Sequence, residues 1–179
     1  MKIHQNNIRR QGFSLIELVV VVAIIAVLAA LTMGALGFIN QKSARDKAKV
    51  QIKLLEKALE DYQADNRSLP PSPDSNGERG DEVLYKYLYY DGFETRDSGG
   101  VVYLGDLDPE NNTKSGQAWI QGKDAQARIV DPYGNPYHYR SGDSPAAVNP
   151  DFDIWSAGPD GKTNANPDHD DCLDDIRNW

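Results

Sequence analysis

The sequence predicts an α+β fold: a long N-terminal helix packed through its second half on a small antiparallel β-sheet, with an acidic C-terminal loop. Three observations carry that prediction. An apolar run from Leu18 to Ile39 continues into an amphipathic pattern that stops only at the proline-rich stretch LPPSP, residues 69–73. Turn chemistry and alternating aromatic residues mark two strands between 131 and 155. Six aspartates crowd into residues 160–175, which suits a loop rather than a packed element.

The apolar run reads LVVVVAIIAVLAALTMGALGFI, with Thr32 its only clearly polar side chain. Its length in a helix is roughly 33 Å, enough to cross the ~30 Å hydrocarbon core of a bilayer. Past Asn40, the residues Ala48, Ile52, Leu55, Leu59 and Tyr62 recur at spacings of 4, 3, 4 and 3 and share one helical face. Lys47, Lys49, Lys53, Glu56, Lys57, Glu60 and Asp61 fill the other face. No Gly/Pro/Ser linker separates the two halves, so Phe13 to Tyr62 reads as one rod of roughly 75 Å. Asn66 and the prolines end it. The chain thereby divides into a leader (1–12), an apolar helix (13–39), an amphipathic helix (40–68), a variable loop region (69–130) and a sheet with an acidic loop (131–179).

Charge assigns the two ends to different sides of a membrane. The formal net charge is −8, yet residues 1–11 carry Lys2, Arg9 and Arg10 and no acid, leaving −11 on the remainder. Basic residues ahead of a membrane segment favour holding that end in the cytoplasm, so the acidic remainder is exported. An acidic exported domain argues against nucleic acid as a partner, because nothing offsets phosphate repulsion. Cys172 is the only cysteine, so an intrachain disulfide is impossible. A domain this small then needs another staple, which turns attention to metals. No Ser-His-Asp, Cys-His, P-loop or dinucleotide motif occurs, and His4, His138 and His169 form no evident base; the chain reads as a non-enzyme.

Between the helix and the sheet, Asp81–Tyr90 suits a short helix on the spacing of Val83, Leu84, Tyr87 and Leu88, its tyrosine stripe serving packing. Val101–Leu104 and Ala118–Ile120 read as short strands or loop anchors. In DPYGNPYHY, residues 131–139, Pro132 suits the second position of a β-turn and Gly134 supplies positive φ. Tyr137 and Tyr139 then alternate in a half-buried strand, with Phe152–Trp155 as its antiparallel partner.

A basic segment before an apolar run also suits an ordinary signal peptide, but this run exceeds the usual length and 34-GALGFIN-40 is a poor cleavage site. The alternative is cleavage ahead of the run, in RRQGFSLIELVVVVAIIAVLAA, residues 9–30. That stretch resembles the class III signal of type IV pilins and type II secretion pseudopilins. The resemblance implies that prepilin peptidase cuts between Gly12 and Phe13, that Phe13 is N-methylated, and that Glu17 becomes the fifth residue of the mature chain. In assembly Glu17 would meet the N-terminal amine of a neighbouring subunit. An unpaired carboxylate there costs a few kcal/mol, and the new ammonium lies one turn away. The bland alternative is that Glu17 snorkels to the headgroups. Gly34 and Gly37 stand near the place where the family usually carries Pro; both weaken a helix.

Near the other end, DPYGNPYHY, DFDIWSAGPDGK and DDIRNW resemble the major pseudopilins of type II secretion systems, so the resemblance spans residues 9–69 and 131–179. It implies a type IV pilin-like fold and a calcium ion held by Asp160, Asp174 and Asp175, with the Ala157 carbonyl contributing. The residues themselves suit a hard cation, since six carboxylates repel one another unless neutralised and calcium accepts six to eight oxygens in irregular loops. Twelve residues separate Gly161 from Asp174, more than the family spacing, which makes Asp168, Asp170 and Asp171 further candidate ligands. The EF-hand pattern is absent, and His169 with Cys172 makes a poor zinc site. A solvated acidic loop without metal is the alternative. The implied function is a structural subunit of a periplasmic pseudopilus, anchored by one pass in the bacterial inner membrane with its C-terminal domain in the periplasm. Its partners would be copies of itself, other pseudopilins, the inner-membrane secretion platform and prepilin peptidase. Two other readings stay open: a type IV pilin for adhesion, motility or DNA uptake, and a membrane-tethered metal-dependent hydrolase.

Overall fold

The structure is a computed structural model that describes residues 13–74, 76–94, 99–110, 119–122 and 127–179, except the side chains of 32–38. It separates into two compact units, Met1–Asn40 and Gln41–Trp179. Helix α1 runs from Leu15 to Asn66, passing Gly34 and Gly37 without a break. It ends where Arg67 turns left-handed at φ 57° while its N–H still reaches the Gln63 carbonyl at 2.8 Å. The Asn66 side chain donates back to the Tyr62 carbonyl, and Pro70 and Pro71 forbid continuation.

In the first unit, the Val, Ile and Leu side chains from Leu15 to Leu31 are all between 49% and 82% exposed. Among the described residues no helix is long and apolar enough to cross a membrane.

The second unit gathers its core on the helical stripe read from the sequence. Ala48, Ile52, Leu55, Leu59 and Tyr62 are buried, joined by Ala58. Helix α2 covers Gly80–Tyr90, as the pattern over 81–90 requires. Its buried face is Leu84, Tyr85 and Leu88, however, with Val83 and Tyr87 only half-buried. Tyr85 on that face stacks on Tyr89 and lies edge-on to Tyr90. At Gly80 a Cβ would lie 2.2 Å from the Tyr139 backbone nitrogen, so only glycine lets α2 start against the sheet.

Two small antiparallel sheets complete the unit. Strand β1 (Ile120–Gln121) pairs with β2 (Arg128–Ile129). Strands β3 (Tyr137–Ser141), β4 (Phe152–Ser156) and β5 (Ile176–Arg177) form a sheet in that order, with Tyr139 opposite Ile154. Val101–Leu104 is a loop anchor and not a strand: the N–H groups of Tyr103 and Leu104 both donate to the Leu88 carbonyl. Of Ala118–Ile120, Ala118 lies outside the described residues, while Ile120 opens β1.

The inner face of β3 and β4 is apolar with two polar tethers. Tyr137 and Tyr139 are fully buried, and their hydroxyls donate to the Gln51 side chain at 2.7 Å and the Pro70 carbonyl at 2.8 Å. The outer face is buried too, but charged. Arg140 and Asp153 form an ion pair at 2.9 Å with both side chains inaccessible, and the guanidinium lies over the Trp155 ring. His138 stacks on Trp155 with ring centroids 5.0 Å apart.

Candidate functional site

Two places carry the chemistry singled out in the sequence. At the N-terminus, Gly12 lies outside the described residues, together with Lys2, Arg9 and Arg10. Phe13 is 89% exposed, and Glu17 turns its carboxylate back to accept the Ser14 N–H at 2.8 Å. Since the Ser14 carbonyl accepts the Leu18 N–H, this is half of a capping box, satisfying a donor that the first turn leaves free. In the single chain Glu17 therefore caps its own helix.

The C-terminal site is built on the turn before β3. Asp131 Oδ1 accepts the N–H groups of Tyr133 and Asn135, each at 2.9 Å, and Gly134 at φ 93° closes the turn onto the Asp131 carbonyl. Its Oδ2 accepts the Ser156 hydroxyl at 2.5 Å. Burial pushes the Asp131 carboxyl above its ordinary range, against the pull of Ser156 and the turn's donors. Asn135 then donates to the Gly158 carbonyl at 2.8 Å, which hangs the Gly158–Gly161 turn on the first one.

Against that second turn the structure brings Asp174. Its Oδ2 accepts the Asp160 N–H at 3.3 Å, and a Cβ on Gly158 would lie 2.6 Å from the Asp174 carbonyl. Gly158 is left-handed at φ 65°, so both its conformation and its neighbour exclude a side chain. Asp175 faces elsewhere: its Oδ2 accepts the Thr163 hydroxyl at 2.9 Å and lies 3.4 Å from Arg177. Its Oδ1 is buried with no hydrogen-bond partner, and burial pushes the carboxyl up, opposed by Thr163 and Arg177. Ala157 is buried beside the turn.

Asp168 and Asp170 are exposed and Asp171 is half-buried, and they are not drawn to this group. Asp170–Cys172 forms a 3-10 turn in which the His169 imidazole accepts the Asp171 N–H. Among the described residues no three Asp, Glu, His or Cys side chains converge closely enough to hold a metal. One feature nevertheless fits a hard cation, the orphaned oxygen of Asp175; the Asp174 carboxylate accepts the Asp160 N–H, and the Asp160 carboxylate accepts the Lys162 N–H. Sequence reasoning missed the supports, Asp131, Asn135, Ser156 and Thr163. Asp131 had a readable signal, an acid opening a Pro-containing turn, whereas its bond to Ser156 joins residues twenty-five apart.

An apolar helix with a single carboxylate at its start, ahead of a small α+β head, defines a class: structural subunits carrying the prokaryotic N-terminal methylation motif, whose family profile matches residues 7–33. The profile of type II secretion system protein G matches residues 103–179, so the family's span begins at Tyr103, well before the motifs legible from 131 on. The chain is 34% identical over 178 residues to the type II secretion system core protein G of Pseudomonas aeruginosa, covering 96% of this chain and 97% of that protein. The chain belongs to the type II secretion protein G family, the pseudopilins, and is a pseudopilus subunit and not an enzyme. No solved structure matches it.

Proposed function

We propose that this subunit is cut by prepilin peptidase between Gly12 and Phe13, methylated on Phe13, and drawn from a single-pass inner-membrane position into a periplasmic fibre that helps drive protein secretion. The leader is residues 1–12, residues 13–39 form the membrane and assembly helix, and the remainder is the periplasmic head of a type IV pilin-like fold. The observation that carries the reading is the first half of α1, which exposes large apolar side chains on all sides with Glu17 the only charge from Phe13 to Leu31. Polymerisation with copies of itself would remove that surface from lipid contact. Other pseudopilins and the inner-membrane secretion platform complete the assembly. Glu17 releases its own Ser14 N–H and pairs with the new amine of a neighbour. The test is co-expression with prepilin peptidase followed by mass spectrometry: loss of the first twelve residues and gain of one methyl group are expected, and an intact N-terminus sinks the reading.

In the same proposal the acidic loop holds calcium through Asp160, Asp174 and Asp175 with the Ala157 carbonyl, and Asp168, Asp170 or Asp171 completes the shell. The ion would supply the charge that lets these carboxylates stay together. Support comes from the unpartnered Asp175 oxygen and from the closeness in the chain fold of Asp174 to the turn that carries Asp160. Thermal unfolding of the full chain in detergent, with calcium and then with excess chelator, decides it. At a hundredfold excess over the dissociation constant the native state should gain ~2.7 kcal/mol, and an unmoved midpoint removes the site.

A further inference from the structure

The chain just beyond the apolar run has an unusual charge. Residues 40–54 carry Lys42, Arg45, Lys47, Lys49 and Lys53 against a single acid, Asp46, in a protein whose net charge is −8. If that flank is exported, five cations there run against the usual bias of Lys and Arg toward the cytoplasmic side. Arg45 and Lys49 stand one helical turn apart on α1, both exposed and neither in an ion pair among the described residues. Like charges at that spacing repel mildly, so the pair is stable only at a small cost unless an anion sits beside it.

Tertiary structure adds to this pair from the far end of the chain. Arg45 and Lys49 line a surface depression of about 290 Å³ together with Leu173, Asp175, Arg177 and Trp179; Asp175 is buried and ion-paired with Arg177 at 3.4 Å, so three cations face one carboxylate. Arg177 is held in place by donating to the carbonyls of Pro167 and Cys172, and its guanidinium lies 5.5 Å from the centroid of the Trp179 ring. Leu173 is 83% exposed and Trp179 is 37% exposed. An excess of cations lining a hollow, Arg45 and Lys49 being left over once Asp175 has paired with Arg177, with an exposed leucine and a tryptophan at its rim, matches the phosphate-over-acyl layering of a lipid headgroup region. We propose that this groove docks the head on the anionic phospholipid surface from which the subunit is drawn, Arg45 and Lys49 taking headgroup phosphates while Trp179 and Leu173 enter the interface. The inference rests on the reading of the first half of α1 as membrane-embedded and the remainder as exported.

The test uses the full chain in nanodiscs of phosphatidylcholine, with or without phosphatidylglycerol, each containing lipid brominated near the headgroup. Trp119 and Trp155 are buried, so quenching reports on Trp179. Stronger quenching is expected in the anionic discs, reversed by high salt, with contact about fivefold less favourable for each charge removed in Arg45→Gln and Lys49→Gln. Equal quenching in both lipids, or an unchanged signal in the double variant, overturns the proposal. Loss of Trp179 exposure that follows the number of copies per disc and ignores lipid charge would overturn it too, assigning the groove to an acidic segment of a neighbouring copy. Failure of the chain to co-elute with any disc overturns the anchoring itself and the groove with it, whereas co-elution without lipid dependence overturns the groove alone.

Discussion

The two halves of α1 use apolar side chains in opposite ways. From Ala48 to Tyr62 the buried ones, Ala48, Ile52, Leu55, Ala58, Leu59 and Tyr62, share one stripe at no more than 7% exposure, while Val50 and Leu54 stand outside it at 60% and 37%. From Leu15 to Leu31 they occupy all faces, and no large one is less than 49% exposed. An amphipathic helix satisfies its apolar stripe within its own subunit; a helix apolar all round has no polar face to leave in water and takes its surroundings from lipid or other chains. The difference separates what folds the head from what assembles it.

The sharpest way to break this comparison is to shorten one side chain in each half. Leu59→Ala should cost the head about 2–5 kcal/mol in denaturant unfolding, because Leu59 is fully buried and its removal leaves a cavity. Val22→Ala should change the same measurement by less than about 0.5 kcal/mol. Equal losses would mean the first half folds with the head after all.

A second cut tests whether the turn at Asp131 seats the sheet against the helix. Asp131→Ala leaves the N–H groups of Tyr133 and Asn135 and the Ser156 hydroxyl without their acceptor, a loss of about 2–4 kcal/mol, since the buried hydroxyl costs about 1–3 and the two part-buried N–H groups can turn to water for less. Asp131→Asn retains an oxygen for the two N–H groups and should lose clearly less. Smaller again is Tyr137→Phe, which removes the bond from β3 to Gln51 on α1 and should lower stability by about 1 kcal/mol.

Acidification gives the smallest and most diagnostic effect. Burial against Trp155 holds the His138 imidazole below its ordinary value of 6.5, opposed by the nearby carboxylate of Asp81, the Gly77 carbonyl and the acids Glu78 and Asp74. The folded chain then binds fewer protons than the unfolded chain, so stability is level above pH 6.5 and falls as pH drops below it. His138→Phe should flatten that slope in urea titrations run across the window; an unchanged slope would place the titrating group elsewhere.

Much of this architecture is legible from residue pattern, for stated reasons. The long helix shows itself because its stripe has a helical period over four turns and its end is marked by consecutive prolines. Strands β3 and β4 follow from the Gly134 turn and alternating tyrosines. Strand β5 was not legible, since two residues carry no periodicity and its pairing with β4 is set by a chain segment twenty residues away. The packing face of α2 was legible only in part: Leu84 and Leu88 are buried and Val83 and Tyr87 pack against the core at half burial, but four tyrosines within six residues left open that Tyr85 is the one fully enclosed.

The acidic loop divides in the same way. Composition alone says that six carboxylates within sixteen residues suit a neutralising cation or a solvated loop, and that Cys172 cannot supply an intrachain disulfide. It cannot say that Asp174 turns toward Asp160 while its neighbour Asp175 turns toward Thr163 and Arg177. Local pattern determined the helix, its change of character near Asn40 and the acidity of the C-terminal loop, because each depends on residues near one another in the chain. The bond from the Asp160 N–H to Asp174, the burial of Arg140 with Asp153 and the meeting of Arg45 and Lys49 with Arg177 depend on distant segments, whose approach is decided by packing.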